Sequence, residues 1–167
     1  MSRGFVKEGD QEEPPFIPPR APLPAGVTNY VTPYGMELLE KEREDLEQQL
    51  IDLKMDDEKD ERHARTLLNG KIDFLNERIA SARVVDLTEQ PPNEVRFGAL
   101  VKLKNLQNKS LQQFQIVGVD EADVRKQKIA FVAPIARAVN GKQAGEVAEL
   151  NLGGEVRRLE IMEISYP

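Results

Sequence analysis

The sequence predicts an α+β protein: an N-terminal antiparallel two-helix coiled coil followed by a small, mostly antiparallel β domain with one short helix. Two patterns carry that prediction. Between Thr32 and Val85, apolar residues fall at helical steps at Met36, Leu39, Leu46, Leu50 and Leu53, and again at Leu68, Ile72, Leu75, Ile79 and Ala82. Such steps put one apolar stripe on each helix, which suits a two-stranded seam and no wider core. From Val95 onward the pattern shortens to strand-length apolar runs separated by polar or glycine-containing turns.

A thin rod also accounts for the composition. Of the 167 residues, 40% are hydrophobic and 31% charged; a helical pair exposes most of its surface, and the length suits one ordinary domain plus an appendage. A formal net charge of -6 makes a wrapped nucleic-acid duplex or an anionic membrane an unsuitable partner for the whole surface, while a basic protein surface stays open. Without cysteine there is neither a disulfide frame nor a thiolate zinc site. No run of about 18 apolar residues marks a membrane span, and Met1-Ser2-Arg3-Gly4-Phe5 leads into no apolar export segment. A soluble, cytoplasmic protein is expected.

Taken in order, residues 1–31 read as a proline-rich flexible leader. Pro14, Pro15, Pro18, Pro19, Pro22 and Pro24 remove backbone donors and favour extended chain, with Phe5, Val6, Phe16 and Ile17 among its apolar groups. The alternative is a strap along the coil, or a ligand for a partner through its prolines. Residues 32–86 form the hairpin, with Thr32 as helix cap and Pro33 at the first helical position. The first arm should reach Met55, about 23 residues or roughly 35 Å, with Arg43 interrupting the stripe and packing its stem at the seam. Asp56-Asp57-Glu58-Lys59-Asp60-Glu61 contains no large apolar residue and is the expected turn. Gly70 lies inside the second arm, at a cost of about 1 kcal/mol relative to alanine; that arm should end near Val85.

A linker over 87–94, marked by Gln90-Pro91-Pro92-Asn93, leads into a domain over 95–167. Strands are expected from Phe97 to Leu103, Leu111 to Val117, Lys128 to Val132, Glu146 to Leu152 and Val156 to Ile164, the last two joined across Gly153-Gly154. Pro134 to Val139 should form one or two helical turns.

Several segments, in order and at compatible spacing over roughly residues 29–165, resemble the bacterial Gre transcript cleavage factors (GreA and GreB). They are Tyr30-Val31-Thr32-Pro33-Tyr34-Gly35, Ala82-Arg83-Val84-Val85-Asp86, Val95-Arg96-Phe97-Gly98-Ala99, Ile116-Val117-Gly118-Val119-Asp120-Glu121-Ala122-Asp123, Ala133-Pro134-Ile135-Ala136-Arg137-Ala138 with Gly141-Lys142, and Gly153-Gly154. The resemblance implies an FKBP-like C-terminal domain that docks on bacterial RNA polymerase at the rim of its secondary channel, with the coil pointing toward the catalytic metal. In cleavage-competent members an Asp and a Glu at the tip help hold a second magnesium and activate water, so that the polymerase cuts its own backtracked RNA. No cofactor is expected to be bound stably; Mg²⁺ would enter only through the polymerase. The family's tip string is absent here, and each arm is about ten residues shorter, a deficit of roughly 15 Å. In this the chain is similar to the Rnk proteins, and the tip acids are not expected to reach the metal.

The candidate tip acids are Asp56, Asp57, Glu58, Asp60 and Glu61, with Asp57 and Glu61 the metal candidates if the chain is cleavage-competent. The plain alternative is a solvated polar turn. His63, the only histidine, lies beside them and is read either as an exposed helix residue or as a pH-sensitive one. For partner binding the resemblance points to Asp120, Glu121, Asp123, Pro134 and Ile135, against the alternative that the acids cap turns and Pro134 starts a helix. Arg137, Lys142, Arg157 and Arg158 make nucleic acid a secondary contact, though no aromatic platform accompanies them. Prolyl isomerisation is rejected because Phe97, Phe114 and Phe131 are expected in strands as core residues, leaving with Tyr166 no aromatic pocket. A monomer without independent enzymatic activity is expected, the alternatives being a true cleavage stimulator and a module whose coil pairs with a second copy.

Overall fold

The computed structural model describes residues 13–167, so Phe5 and Val6 of the leader lie outside the described residues. Helix α1 spans Pro33–Ile51 and helix α2 spans Glu58–Ser81. Thr32 starts α1 from an extended backbone, its hydroxyl accepting from the Gly35 N–H at 2.9 Å, with Pro33 where a missing N–H costs nothing. All ten seam positions expected from the spacing pack into one cluster, joined by Val31; Leu75 at its centre is 0% exposed. Arg43 is half-buried.

The turn differs from the sequence expectation. Helix α1 stops at Ile51 rather than Met55, and the chain reverses over residues 52–57. Asp57 caps α2, its carboxylate accepting from the Lys59 and Asp60 N–H groups at 2.8 and 3.3 Å. Glu58, Asp60 and Glu61 therefore belong to the first helical turn, where negative charge faces the positive end of the helix dipole.

At the root, strands β1 (Asn29–Val31) and β2 (Ala82–Val84) pair in parallel, and the Val85 N–H extends the ladder to the Val31 carbonyl at 3.0 Å. Residues 29–31 are thus strand where leader was expected, and the second arm ends at Ser81 rather than near Val85. Ala82 turns extended (φ -64, ψ 135) to join the ladder. Asn29 is buried and donates its amide to the Arg78 carbonyl and the Ser81 hydroxyl, closing the end of α2.

The C-terminal part is a five-stranded mixed sheet of order β5-β4-β3-β7-β6. Its strands are β3 (Leu100–Asn105), β4 (Leu111–Val117), β5 (Lys128–Ala130), β6 (Val147–Leu152) and β7 (Glu155–Ser165). All pairs are antiparallel except β4 with β5, which a crossover through a 3-10 turn at Val124–Lys126 makes parallel. Between Lys102 and Leu103 the β3–β7 register shifts, which leaves Met162 as the extra residue of a bulge that bends the sheet. Helix α3 (Pro134–Val139) buries Ala136 and Val139 in the same core as Val101, Leu103, Phe114, Leu159 and Ile161.

Of the three phenylalanines expected in strands, only Phe114 lies in one. Phe97 precedes β3 and Phe131 follows β5, both in turns. Among the described residues no helix is long and apolar enough to cross a membrane.

Candidate functional site

The tip is built by residues 52–57 and the first turn of α2. Asp57 is committed to the cap described above, and the Glu61 carboxylate accepts the Met55 N–H at 3.2 Å, so these two acids hold the turn in shape. Asp56, Glu58 and Asp60 are exposed. Among the described residues no group of three or more Asp, Glu, His or Cys converges as a metal site, so the tip carries negative charge without a built cage. Ile51 is 76% exposed and Met55 43%, which adds an apolar element that the polar string did not suggest. His63 lies half-buried in the first half of α2.

The root gathers the acids expected at a docking loop. Glu121 is buried; it accepts from the Thr32 hydroxyl and from the Lys128 ammonium at 2.9 Å, and that ammonium lies 4.5 Å from the centre of the Tyr34 ring. A Cβ on Gly35 would come within 2.7 Å of the same carboxylate, which explains the glycine inside the first turn of α1. Asp120 is held by two arginines, with Arg20 Nε at 3.0 Å and Arg78 Nη1 at 3.1 Å. Arg20 also forks onto Glu42 of α1. Burial works against the Arg20 charge, but hydrogen bonds and attraction from Glu42 and Asp120 outweigh it and leave its pKa raised. Both acids therefore tie the hairpin to the sheet domain.

The remaining docking candidates sit apart. Asp123 caps the 3-10 turn and bridges to Lys128 at the start of β5. Pro134, exposed, opens α3 beyond the end of that strand, and Ile135 packs against the sheet core. Arg157 and Arg158 each face a carboxylate, Glu155 and Glu149, at 3.6 Å.

One feature escaped the sequence reading. Tyr30, Phe97 and Phe131 meet with ring centroids 5.6 to 5.8 Å apart, lining a concavity of about 530 Å³ with Ile116 and Ala136 beneath and Arg96, Arg137 and Asn140 around it. The two phenylalanines face it because they lie in turns. The order of aromatics in the sequence does not reveal that Tyr30, from the hairpin root, would complete the set.

The model of the family described as "Transcription elongation factor, GreA/GreB, C-term" matches residues 90–166. A transcription elongation factor GreA of Bartonella henselae is 38% identical over 105 residues, 63% of this chain and 67% of that protein. The chain belongs to the GreA/GreB family. A GreA of Maricaulis maris is 37% identical over 99 residues, 59% of this chain and 63% of that one, so the chain spans about two thirds of the length of the curated relatives it matches. Among solved structures, a GreA/GreB elongation factor of Nitrosomonas europaea is 25% identical, covering 82% of this chain and 98% of that chain at a TM-score of 0.41.

Proposed function

We propose that this chain binds RNA polymerase through its sheet domain and inserts the helical hairpin into the enzyme's secondary channel, changing elongation, pausing or initiation without chemistry of its own. The observation that carries the reading is the shape and charge of the hairpin in a member of this family. A single seam joins two helices, giving a rod about 20 Å across that ends in exposed Asp56, Glu58 and Asp60. The 24 residues of α2 give it a length of about 36 Å. A rod of that section enters a channel that would stop a globular domain, and its acids alter the electrostatics of what they approach.

Docking in this reading falls to the sheet domain. Asp123 and Pro134 offer their own surface, whereas Asp120 and Glu121 act through the loop that they hold in place. The concavity of Tyr30, Phe97 and Phe131 would receive an apolar side chain from the polymerase, with Arg96 and Arg137 beside it for a flanking acid.

The decisive experiment uses a stalled, backtracked elongation complex with magnesium. The expected result is a retained complex with altered pausing and no release of short 3′ RNA fragments. Rapid release that disappears in an Asp56→Asn, Glu58→Gln, Asp60→Asn variant would establish a cleavage stimulator instead, with these exposed carboxylates as ligands of the polymerase magnesium. Asp57 and Glu61 are poor choices for that variant because their loss would deform the turn. Failure to bind polymerase at all would overturn both readings.

A further inference from the structure

We propose that residues 17–21 form a strap that fixes the angle at which the hairpin leaves the sheet domain, with Asp120 as its fastening point. The strap acts within the chain and stands independently of the partner that the hairpin meets.

Contacts at three of its residues, Ile17, Arg20 and Ala21, define it. Ile17 sits where Gly70 lacks a side chain: a Cβ at position 70 would overlap Ile17 Cδ1 and Cγ1. The glycine that weakens the middle of α2 is therefore the notch that seats the strap. Next along the strap, Arg20 forks onto Glu42 of α1 and donates from Nε to Asp120, joining the first arm to the loop after β4. Arg78, near the end of α2, donates from Nη1 to the other oxygen of Asp120 and from Nη2 to the Ala21 carbonyl at 2.7 Å. These charges are withdrawn from water, with side-chain exposures of 18% for Arg20, 13% for Arg78 and 7% for Asp120.

The register agrees with the chemistry of the segment. From Ile17 to Ala21 the strap advances four residues while its contacts on α2 advance eight, from Gly70 to Arg78. At about 3.1 Å per residue for polyproline II and about 1.5 Å for an α-helix, both distances are about 12 Å. Pro18, Pro19 and Pro22 pre-set the extended form, so laying it down costs less conformational entropy than ordering a flexible segment would.

Mechanically, the root ties the hairpin to the sheet domain through Thr32 and Glu121, and through Gly118, where the Tyr30 carbonyl approaches too closely to allow a Cβ. A lever held at one place pivots. Asp120, gripped by an arginine of α2 and by one anchored on α1, is a second hold, and the strap spans both arms to supply it.

The chain has no cysteine, so spin labels at Lys54→Cys on the tip and Gln112→Cys on β4 report the tip-to-sheet distance in this 167-residue chain without background. The expected result is one narrow distance distribution, which broadens into more than one maximum in an Ile17→Ser, Arg20→Ala variant that keeps its helix content. Gly70→Leu provides a second route: it fills the notch and evicts Ile17 while favouring helix in α2. Broadening in Gly70→Leu despite an undiminished melting temperature supports the strap and separates it from general stabilisation. A distribution that stays narrow in Gly70→Leu, whether or not the double variant folds, would overturn the proposal.

Discussion

Thr32 serves two structures with one hydroxyl, accepting from Gly35 to begin α1 and donating to Glu121 of the sheet domain. Thr32→Ala should therefore cost about 1–2 kcal/mol, at the upper end for a helix cap, read as a lowered urea midpoint with unchanged slope. Tyr166 is the second residue with a measurable signature. Its hydroxyl donates to the Glu94 carbonyl and accepts from the Arg96 N–H, and burial raises its pKa above the usual 10.0. Folding thus favours the protonated phenol. The contribution is complete below pH 10.0 and is lost as pH climbs through the raised value. Tyr166→Phe should lower stability at neutral pH by about 1 kcal/mol and flatten the decline on the alkaline side, tested by denaturant unfolding either side of pH 10.0. Asp86 works in the opposite sense: hydrogen bonds from the Thr88 hydroxyl and N–H hold its pKa below the ordinary carboxylate range, so its share of stability is present above that range and fades in acid.

At the level of elements, the seam is where packing energy concentrates. Leu75→Ala should destabilise by about 2–5 kcal/mol, because a fully enclosed side chain leaves a cavity, whereas Ile51→Ala at the exposed end of α1 should stay within about 0.5 kcal/mol. Thermal unfolding followed by helical circular dichroism separates the two. The seam was legible in the sequence because its period belongs to one geometry, and each of Met36 to Leu53 and Leu68 to Ala82 that keeps the period packs where the period places it. The β4 strand and α3 were legible to the residue for similar reasons of run length and a Pro at the start. Strands β1 and β2 were not, since three residues are too few to display alternation, and their partners lie at opposite ends of the hairpin. The strap was legible only as an alternative to a flexible leader: prolines extend a chain equally well whether it is free or laid on a helix, and the notch at Gly70 looked only like a flaw. The acids of the 118–123 loop were visible, but not that arginines of the leader and of α2 would occupy one of them.

For the whole molecule, the sheet domain and hairpin communicate through a small set of contacts at the root, so damage there should alter geometry before it alters either part. Gly118→Ala illustrates this. A methyl group would lie 2.6 Å from the Tyr30 carbonyl oxygen, and the backbone of β1 must move to admit it. The expected outcome is a displaced hairpin and a melting temperature lowered by several degrees, with the β4–β3–β7 amides unshifted in nuclear magnetic resonance spectra. The parallel pairing of Asn29–Val31 with Ala82–Val84 has one more consequence. Because the outgoing and returning chain are fastened side by side, the part of the hairpin beyond the strap contacts at Glu42 and Gly70 behaves like an interchangeable attachment. Adding a heptad to each arm would carry the apex about 10 Å further without disturbing its mount, so penetration depth can be varied as an independent dial.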